Sequence, residues 1–182
     1  MQSNTVIVDR SVNPNKFVFS DQFNVAIPFI DRHLLEGRSD KLCIIKENVS
    51  WTYGELATSV GKCANQLLAM DLVAGERLLM IVTDGPEFIA LFFGAIKAGV
   101  VPIAVNTMLR TNDYKFLIED CRCASIIWSK SVDSALRPAI SLSSHKPKAI
   151  RTLEDFIDDS RRVSSFVEPA PTNSLSECFW LY

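Results

Sequence analysis

Arg77-Leu78-Leu79-Met80-Ile81-Val82-Thr83-Asp84-Gly85-Pro86, then Phe88-Ile89-Ala90-Leu91-Phe92-Phe93-Gly94-Ala95-Ile96, then Lys97-Ala98-Gly99-Val100-Val101-Pro102-Ile103-Ala104-Val105, is the stretch that decides the fold. The residues after Arg77 form an unbroken apolar run of strand length, the pattern of a strand with both faces covered by helices. Asp84-Gly85-Pro86 breaks it. Residues 88–96 are apolar all round, which predicts a helix buried on most sides, and Gly99 can take the left-handed conformation that closes such a helix. Residues 100–105 return as a second strand. Strand, helix and strand with short connections make a βαβ unit, and right-handed crossovers then give a mostly parallel sheet. Pro102 lacks the amide a central strand needs, so it belongs near a strand start or where that donor is dispensable.

The pattern continues on both sides. Downstream, Thr111 can cap a third helix, with Asp113 in its first turn and Tyr114, Leu117, Ile118 and Cys121 as its apolar face. A strand over 124–128, a helix over 131–142, a short strand over 148–150 and a helix over 153–159 follow. Upstream, Thr52-Tyr53-Gly54-Glu55 has capping-box spacing. Leu56, Val60, Cys63 and Leu67, widened by Ala57, Ala64 and Leu68, then commit one helix face to packing, while Thr58, Lys62 and Asn65 face solvent. Residues 42–45 and 49–52 around Glu47-Asn48 read as a hairpin. Asn24 can cap a preceding helix that has Pro28 early and Gly37 just past its end.

The predicted class is therefore α/β, a mostly parallel sheet flanked by helices and preceded by a helix and a β-hairpin. The expected organisation is one unit: an extended lead-in (1–23), helix and hairpin (24–52), a βαβ core (53–160), a Pro- and Ser-containing linker (161–175) and a closing strand (176–182). That last segment, Ser176-Glu177-Cys178-Phe179-Trp180-Leu181-Tyr182, reads as a buried strand, and buried α/β strands lead into loops that bind ligands.

With 182 residues, 48% hydrophobic and 22% charged, the chain can bury a core of its own. A net charge of −2, with no basic run longer than Arg161-Arg162, argues against nucleic-acid or anionic-membrane partners. The first ten residues carry Asp9 and Arg10 and no apolar core, unlike a secretory signal. The longest apolar stretch, 88–96, is too short to span a bilayer. Five cysteines without a C-x-x-C pair suit reduced thiols in a cytoplasmic protein and act as small buried hydrophobes; no metal site is expected. His33, on a helical apolar face with Phe29 and Leu34, and His145, in a polar stretch, are read as structural.

Residues 94–99 have the glycine spacing of a phosphate loop but continue Val100-Val101, without the required Lys and Ser/Thr, and no G-x-G-x-x-G occurs. Asp84 lies where open α/β sheets place ligands, though a turn-former and helix cap explains an Asp-Gly-Pro sequence better. Arg110 and Lys115 flank the start of the third helix, whose positive end attracts phosphate; a solvated surface is the plainer reading.

Together, Trp51-Thr52-Tyr53-Gly54-Glu55-Leu56, Pro86-Glu87-Phe88, Gly94-Ala95-Ile96-Lys97-Ala98-Gly99-Val100-Val101-Pro102, Val105-Asn106-Thr107-Met108-Leu109 and Cys178-Phe179-Trp180-Leu181-Tyr182 resemble the amino-terminal part of the adenylate-forming acyl-CoA synthetases. Val-Asn-Thr followed by Leu, and Phe-Trp-Leu-Tyr, point to the benzoate and hydroxybenzoate CoA ligases. The resemblance implies an AMP-forming ligase acting on an aromatic carboxylate, ATP and CoA with Mg²⁺, its phosphate loop and catalytic residues lying beyond Tyr182 in a missing carboxy-terminal portion. This chain alone is then expected to bind no cofactor, to be inactive and to self-associate through exposed apolar surface. No catalytic residue carries over. Thr52 and Glu55 set the long helix, Lys97, Gly99 and Pro102 turn helix into strand, Trp180 and Tyr182 aim the loop, and Arg110, just past Asn106, is the CoA-binding candidate. The alternative expectation is an autonomous α/β binding module without catalysis.

Overall fold

The computed structural model describes residues 4–182; residues 1–3 of the predicted lead-in lie outside the described residues. The chain opens with an antiparallel ribbon, β1 (Val6–Asp9) and β2 (Lys16–Phe19). A π-helical turn over Ile27–Asp31 runs into α1 (Arg32–Leu35), and β3 (Leu42–Lys46) pairs with β4 (Val49–Thr52) as the expected hairpin. The core then alternates: α2 (Tyr53–Ala69), β5 (Arg77–Ile81), α3 (Pro86–Lys97), β6 (Val101–Ala104), α4 (Thr111–Cys121), β7 (Ser125–Trp128), a 3-10 turn over Lys130–Val132, α5 (Asp133–Leu142), β8 (Ala149–Thr152) and α6 (Leu153–Ser160). The four core strands are all parallel, in the order β6-β5-β7-β8.

Side-chain alternation explains the continuous apolar run of β5. Leu78 and Met80 pack with α2, α3 and α6 on one face, whereas Leu79 and Ile81 pack with Tyr114, Ile118 and Leu136 of α4 and α5 on the other. Pro102 is accommodated because β6 is one of the two edge strands of the four. Val101 at its start and Val105 just past its end donate their amides towards the β5 side, to the carbonyls of Glu76 (2.8 Å) and Met80 (3.1 Å), so Pro102 faces outward.

The capping box forms as the spacing requires: the Thr52 amide donates to Glu55 Oε2 (2.8 Å) and the Glu55 amide to Thr52 Oγ1 (3.2 Å). Gly99 has φ +77°, closing α3 in the left-handed region. Gly94 has a different role from the phosphate-loop spacing it mimics. A Cβ there would lie 2.6 Å from Cys63 Cβ and 3.0 Å from the Val60 carbonyl, so Gly94 is what lets α3 approach α2.

Several local expectations are corrected. Asn24 does not cap the first helix; its buried side chain accepts from the Ala26 amide (3.1 Å) and donates to the Ile96 carbonyl (2.9 Å), stitching the lead-in to α3. Thr111 is the first helical residue of α4 and Arg110 its N-cap, because the Asp113 carboxylate accepts from the Arg110 amide (3.0 Å). Leu68 is exposed, lying past the packed stripe of α2. Asn65 is not free in solvent: its amide donates to the carbonyls of Ser164 (2.7 Å) and Phe166 (2.8 Å), holding the 161–176 segment against α2. His33 stacks on Tyr53 (3.8 Å between centroids) and accepts from Arg38 Nε (2.9 Å), while Phe29 and Leu34 are exposed.

The segment over 179–182 departs furthest. It makes a single parallel bridge, Trp180 to Ile103, and all four side chains are exposed. An apolar sequence makes a strand plausible, but burial needs a layer on each face, and among the described residues none covers the outer side of this edge.

Candidate functional site

The strand order places β5 between β6 and β7, and the connections leaving β5 and β7 go to opposite faces of the sheet. This is the switch point at which open parallel sheets hold ligands, outside the carboxyl ends of the strands. Beside that point, on the other flank of β5, a crevice of about 350 Å³ lies at the ends of β5 and β6, walled by Val82, Phe88, Ala104 and Val105, with Asp84, Asn106 and Thr107 supplying polar groups.

Its frame is hydrogen-bonded. The Thr83 amide donates to Ser129 Oγ (3.1 Å) and the two hydroxyls lie 3.2 Å apart, tying the end of β5 to the end of β7. Lys46, on the hairpin, donates from Nζ to the Asp84 carbonyl. Asn106 Oδ1 accepts from the Met108 amide (2.8 Å), and the Tyr114 hydroxyl donates to the Asn106 carbonyl (3.0 Å), setting the turn into α4. Beyond β7, Trp128 Nε1 donates to Asp133 (2.6 Å); that bond and the Arg137 guanidinium hold the Asp133 carboxyl below its usual range.

Asp84 is exposed and does not cap α3; Gly85 occupies the cap position. Asn106 reaches the crevice. Arg110 stands outside its lining, exposed at the start of α4, and Lys115 is paired with Glu119 (2.8 Å). Lys97 is buried in an ion pair with Asp31 (2.8 Å), which anchors α3 to the π-helical turn. Thr52, Glu55, Gly99 and Pro102 sit at element boundaries, and Trp180 and Tyr182 lie along the edge of β6. Sequence reasoning missed Ser129 and Lys46. Ser129 directly follows a predicted strand, which marks it as a carboxyl-end residue; Lys46 is 38 positions from its partner and carries no sequence signal.

Two of the three buried thiols, Cys63 and Cys123, are held protonated, whereas the Cys123 hydrogen bond lowers their buried neighbour Cys121. Burial pushes Cys63 up to about 12, and Cys123, hydrogen-bonded to Cys121, is raised as well. His145 bonds the Cys123 carbonyl (2.8 Å), far in sequence from the crevice residues. Among the described residues, no three His, Cys, Asp or Glu side chains converge where a metal could be held, so an implied Mg²⁺ is assigned to no residue here. No helix of the described residues is long and apolar enough to cross a membrane. The crevice can therefore bind and orient through hydroxyl, amide and carbonyl groups; it holds no nucleophile and base in contact.

Comparison with known proteins agrees with this architecture. The chain is 34% identical to the benzoate–CoA ligase of Thauera aromatica over 97% of its own length and 34% of that protein. It is 37% identical to the 4-hydroxybenzoate–CoA/benzoate–CoA ligase of Rhodopseudomonas palustris over 55% of its length and 19% of that protein. The benzoate CoA ligase structure from Burkholderia xenovorans LB400 superposes with a TM-score of 0.78 at 26% identity, covering 88% of this chain and 32% of that one. The match thus spans a third or less of the length of each of these relatives. The pattern of the AMP-binding enzymes matches residues 31–175, and the chain belongs to that family.

Proposed function

We propose that this chain is the amino-terminal subdomain of an AMP-forming CoA ligase for benzoate-like aromatic acids. The observation that carries this reading is the 34% identity to a benzoate–CoA ligase sustained over 97% of the chain. In the reaction so assigned, the aromatic carboxylate attacks the α-phosphorus of ATP and expels pyrophosphate, and the CoA thiol then displaces AMP from the acyl-adenylate. Mg²⁺ supplies charge neutralisation on the phosphates. The part played by these residues is structural and orienting: the Thr83–Ser129 tie holds the carboxyl ends of β5 and β7 together at the switch point beside the crevice, and exposed Arg110 offers a guanidinium to the CoA nucleotide. Arg110→Ala in the longer protein should raise KM for CoA with kcat little changed; an unchanged KM removes Arg110 from the site.

The 182-residue chain alone is expected to be inactive, because its crevice is lined by no cationic side chain to neutralise the transferring phosphoryl. Free thiols suit a cytoplasmic location. The deciding assay compares this chain with the protein expressed together with the coding sequence beyond Tyr182, following benzoate-dependent exchange of pyrophosphate into ATP and benzoyl-CoA formation. Exchange in the longer protein alone is the expected result. Exchange by the short chain overturns its inactivity, and none in either form favours a binding module that keeps the fold without the chemistry.

The exposed apolar residues of β1, β2 and 179–182 also support self-association of the short chain. Sedimentation should then shift with concentration, and a single monomer boundary at high concentration would count against it.

A further inference from the structure

The position of residues 179–182 on the sheet edge poses a register problem. Phe, Trp, Leu and Tyr are all large and apolar, so alternation between faces does not distinguish one register from the next. Pro102 offers the incoming segment a carbonyl and no amide, and the Trp180 amide takes that carbonyl at 3.1 Å. One bridge at an open edge is weak, so side chains must complete the specification.

Two contacts do so. Phe179 packs on Phe92 of α3, with centroids 5.7 Å apart, a contact that tolerates sliding. The Tyr182 hydroxyl donates to Asp120 Oδ2 at 2.6 Å, a charge-assisted bond whose length and direction do not. Trp180 stacks on Tyr182 (5.5 Å, 18°), which transmits the placement of the phenol back to the bridging residue. A slip of one residue would present Leu181 to the Asp120 side, and a slip of two would carry the phenol roughly 6.6 Å along the edge, out of reach of the carboxylate.

We propose that Asp120 is a positioning residue: its bond to Tyr182 selects the register in which the Phe-Trp-Leu-Tyr segment docks on β6, and so fixes the place and direction from which any following residues would leave the sheet edge. The consequence for catalysis rests on the ligase reading above, in which the phosphate-binding loop follows this segment. The placement itself does not. Partial desolvation of the hydroxyl and the adjacent Asp120 raise Tyr182 above its ordinary value, which keeps it a donor throughout the neutral range.

Two measurements test this separately. In the 182-residue chain, hydrogen exchange of the Trp180 amide is followed by NMR. Asp120→Ala and Tyr182→Phe should each speed exchange by about three- to tenfold, the double variant should match the singles, and Asp120→Asn, which keeps an acceptor, should stay within about twofold of the parent. Unchanged exchange in both single variants, or additive effects, overturns the latch. In the longer protein, Asp120→Ala should lower kcat for pyrophosphate exchange by about tenfold with KM for benzoate and CoA unchanged and with Asn restoring most of the rate. An unaltered kcat there overturns the positioning role. A parent protein without exchange activity sinks the ligase reading and leaves the amide result standing.

Discussion

Two four-residue apolar segments of this chain, one aliphatic and one largely aromatic, have opposite fates. Leu78-Leu79-Met80-Ile81 in β5 is fully buried, whereas Phe179-Trp180-Leu181-Tyr182 at the edge of β6 keeps each side chain at least a third exposed. The first lies between two strands and beneath helices on both faces. The second has one bridge, one phenylalanine beneath it and a single hydroxyl–carboxylate bond. Hydrophobicity selects extended structure in both cases, but burial is a property of the neighbours.

The comparison is broken or sharpened most directly by truncating the same residue type in each place. Leu79→Ala, deep between β5 and α4, should lower unfolding free energy by about 2–5 kcal/mol, and Leu181→Ala by less than about 0.5 kcal/mol, measured by urea denaturation. Comparable losses would mean that the edge segment is packed as tightly as the core.

Next in size is Gly94→Ala. The added Cβ meets Cys63 Cβ at 2.6 Å, so α2 and α3 must separate, and a loss of about 1–3 kcal/mol is expected. A pairing with Cys63→Gly, which removes the opposing Cβ itself, should recover part of that loss if the clash is the cause. Thr52→Ala should cost about 1 kcal/mol by removing one half of the capping box, and a double-mutant cycle with Glu55→Ala should show the two halves to be coupled.

These sites differ in how far the sequence announces them. The βαβ alternation, the left-handed closure at Gly99 and the capping box follow from local chemistry, because each depends on residues within a few positions of one another. Pro102 could be placed by its missing donor alone. The errors at Asn24, Asn65 and His33 share a different cause: each polar side chain finds a partner at long range or in an element whose position depends on the whole fold. Asn24 reaches Ile96, Asn65 reaches the 161–176 segment, and His33 lies over Tyr53. The crevice was half legible. Asp84 and Asn106 follow from their places at strand ends, but the Thr83–Ser129 tie needs β5 and β7 to be adjacent, which depends on strand order rather than on any single segment.

The finest contrast lies between two adjacent acids at the end of α4. Asp120 faces the open edge and Tyr182, whereas Glu119 turns to the closed layer, accepting from Lys115 Nζ (2.8 Å) and from the amide (2.7 Å) and hydroxyl (3.0 Å) of Ser144 beyond α5. Lys115 and these Ser144 bonds bring Glu119 down to about 2 from its ordinary 4.5. Because the folded value lies below the unfolded one, ionised Glu119 favours the native state above pH 4.5, and that contribution disappears as pH falls through about 2. Urea midpoints of the parent should therefore exceed those of Glu119→Gln at neutral pH, and the two should converge on acidification over that window. Asp120→Ala, removing a bond at the exposed edge, should leave the neutral-pH midpoint almost unchanged while altering Trp180 exchange. If instead Asp120→Ala lowered the midpoint more than Glu119→Gln, the edge segment would be contributing to global stability, and the division between closed core and open edge would have to be redrawn through α4.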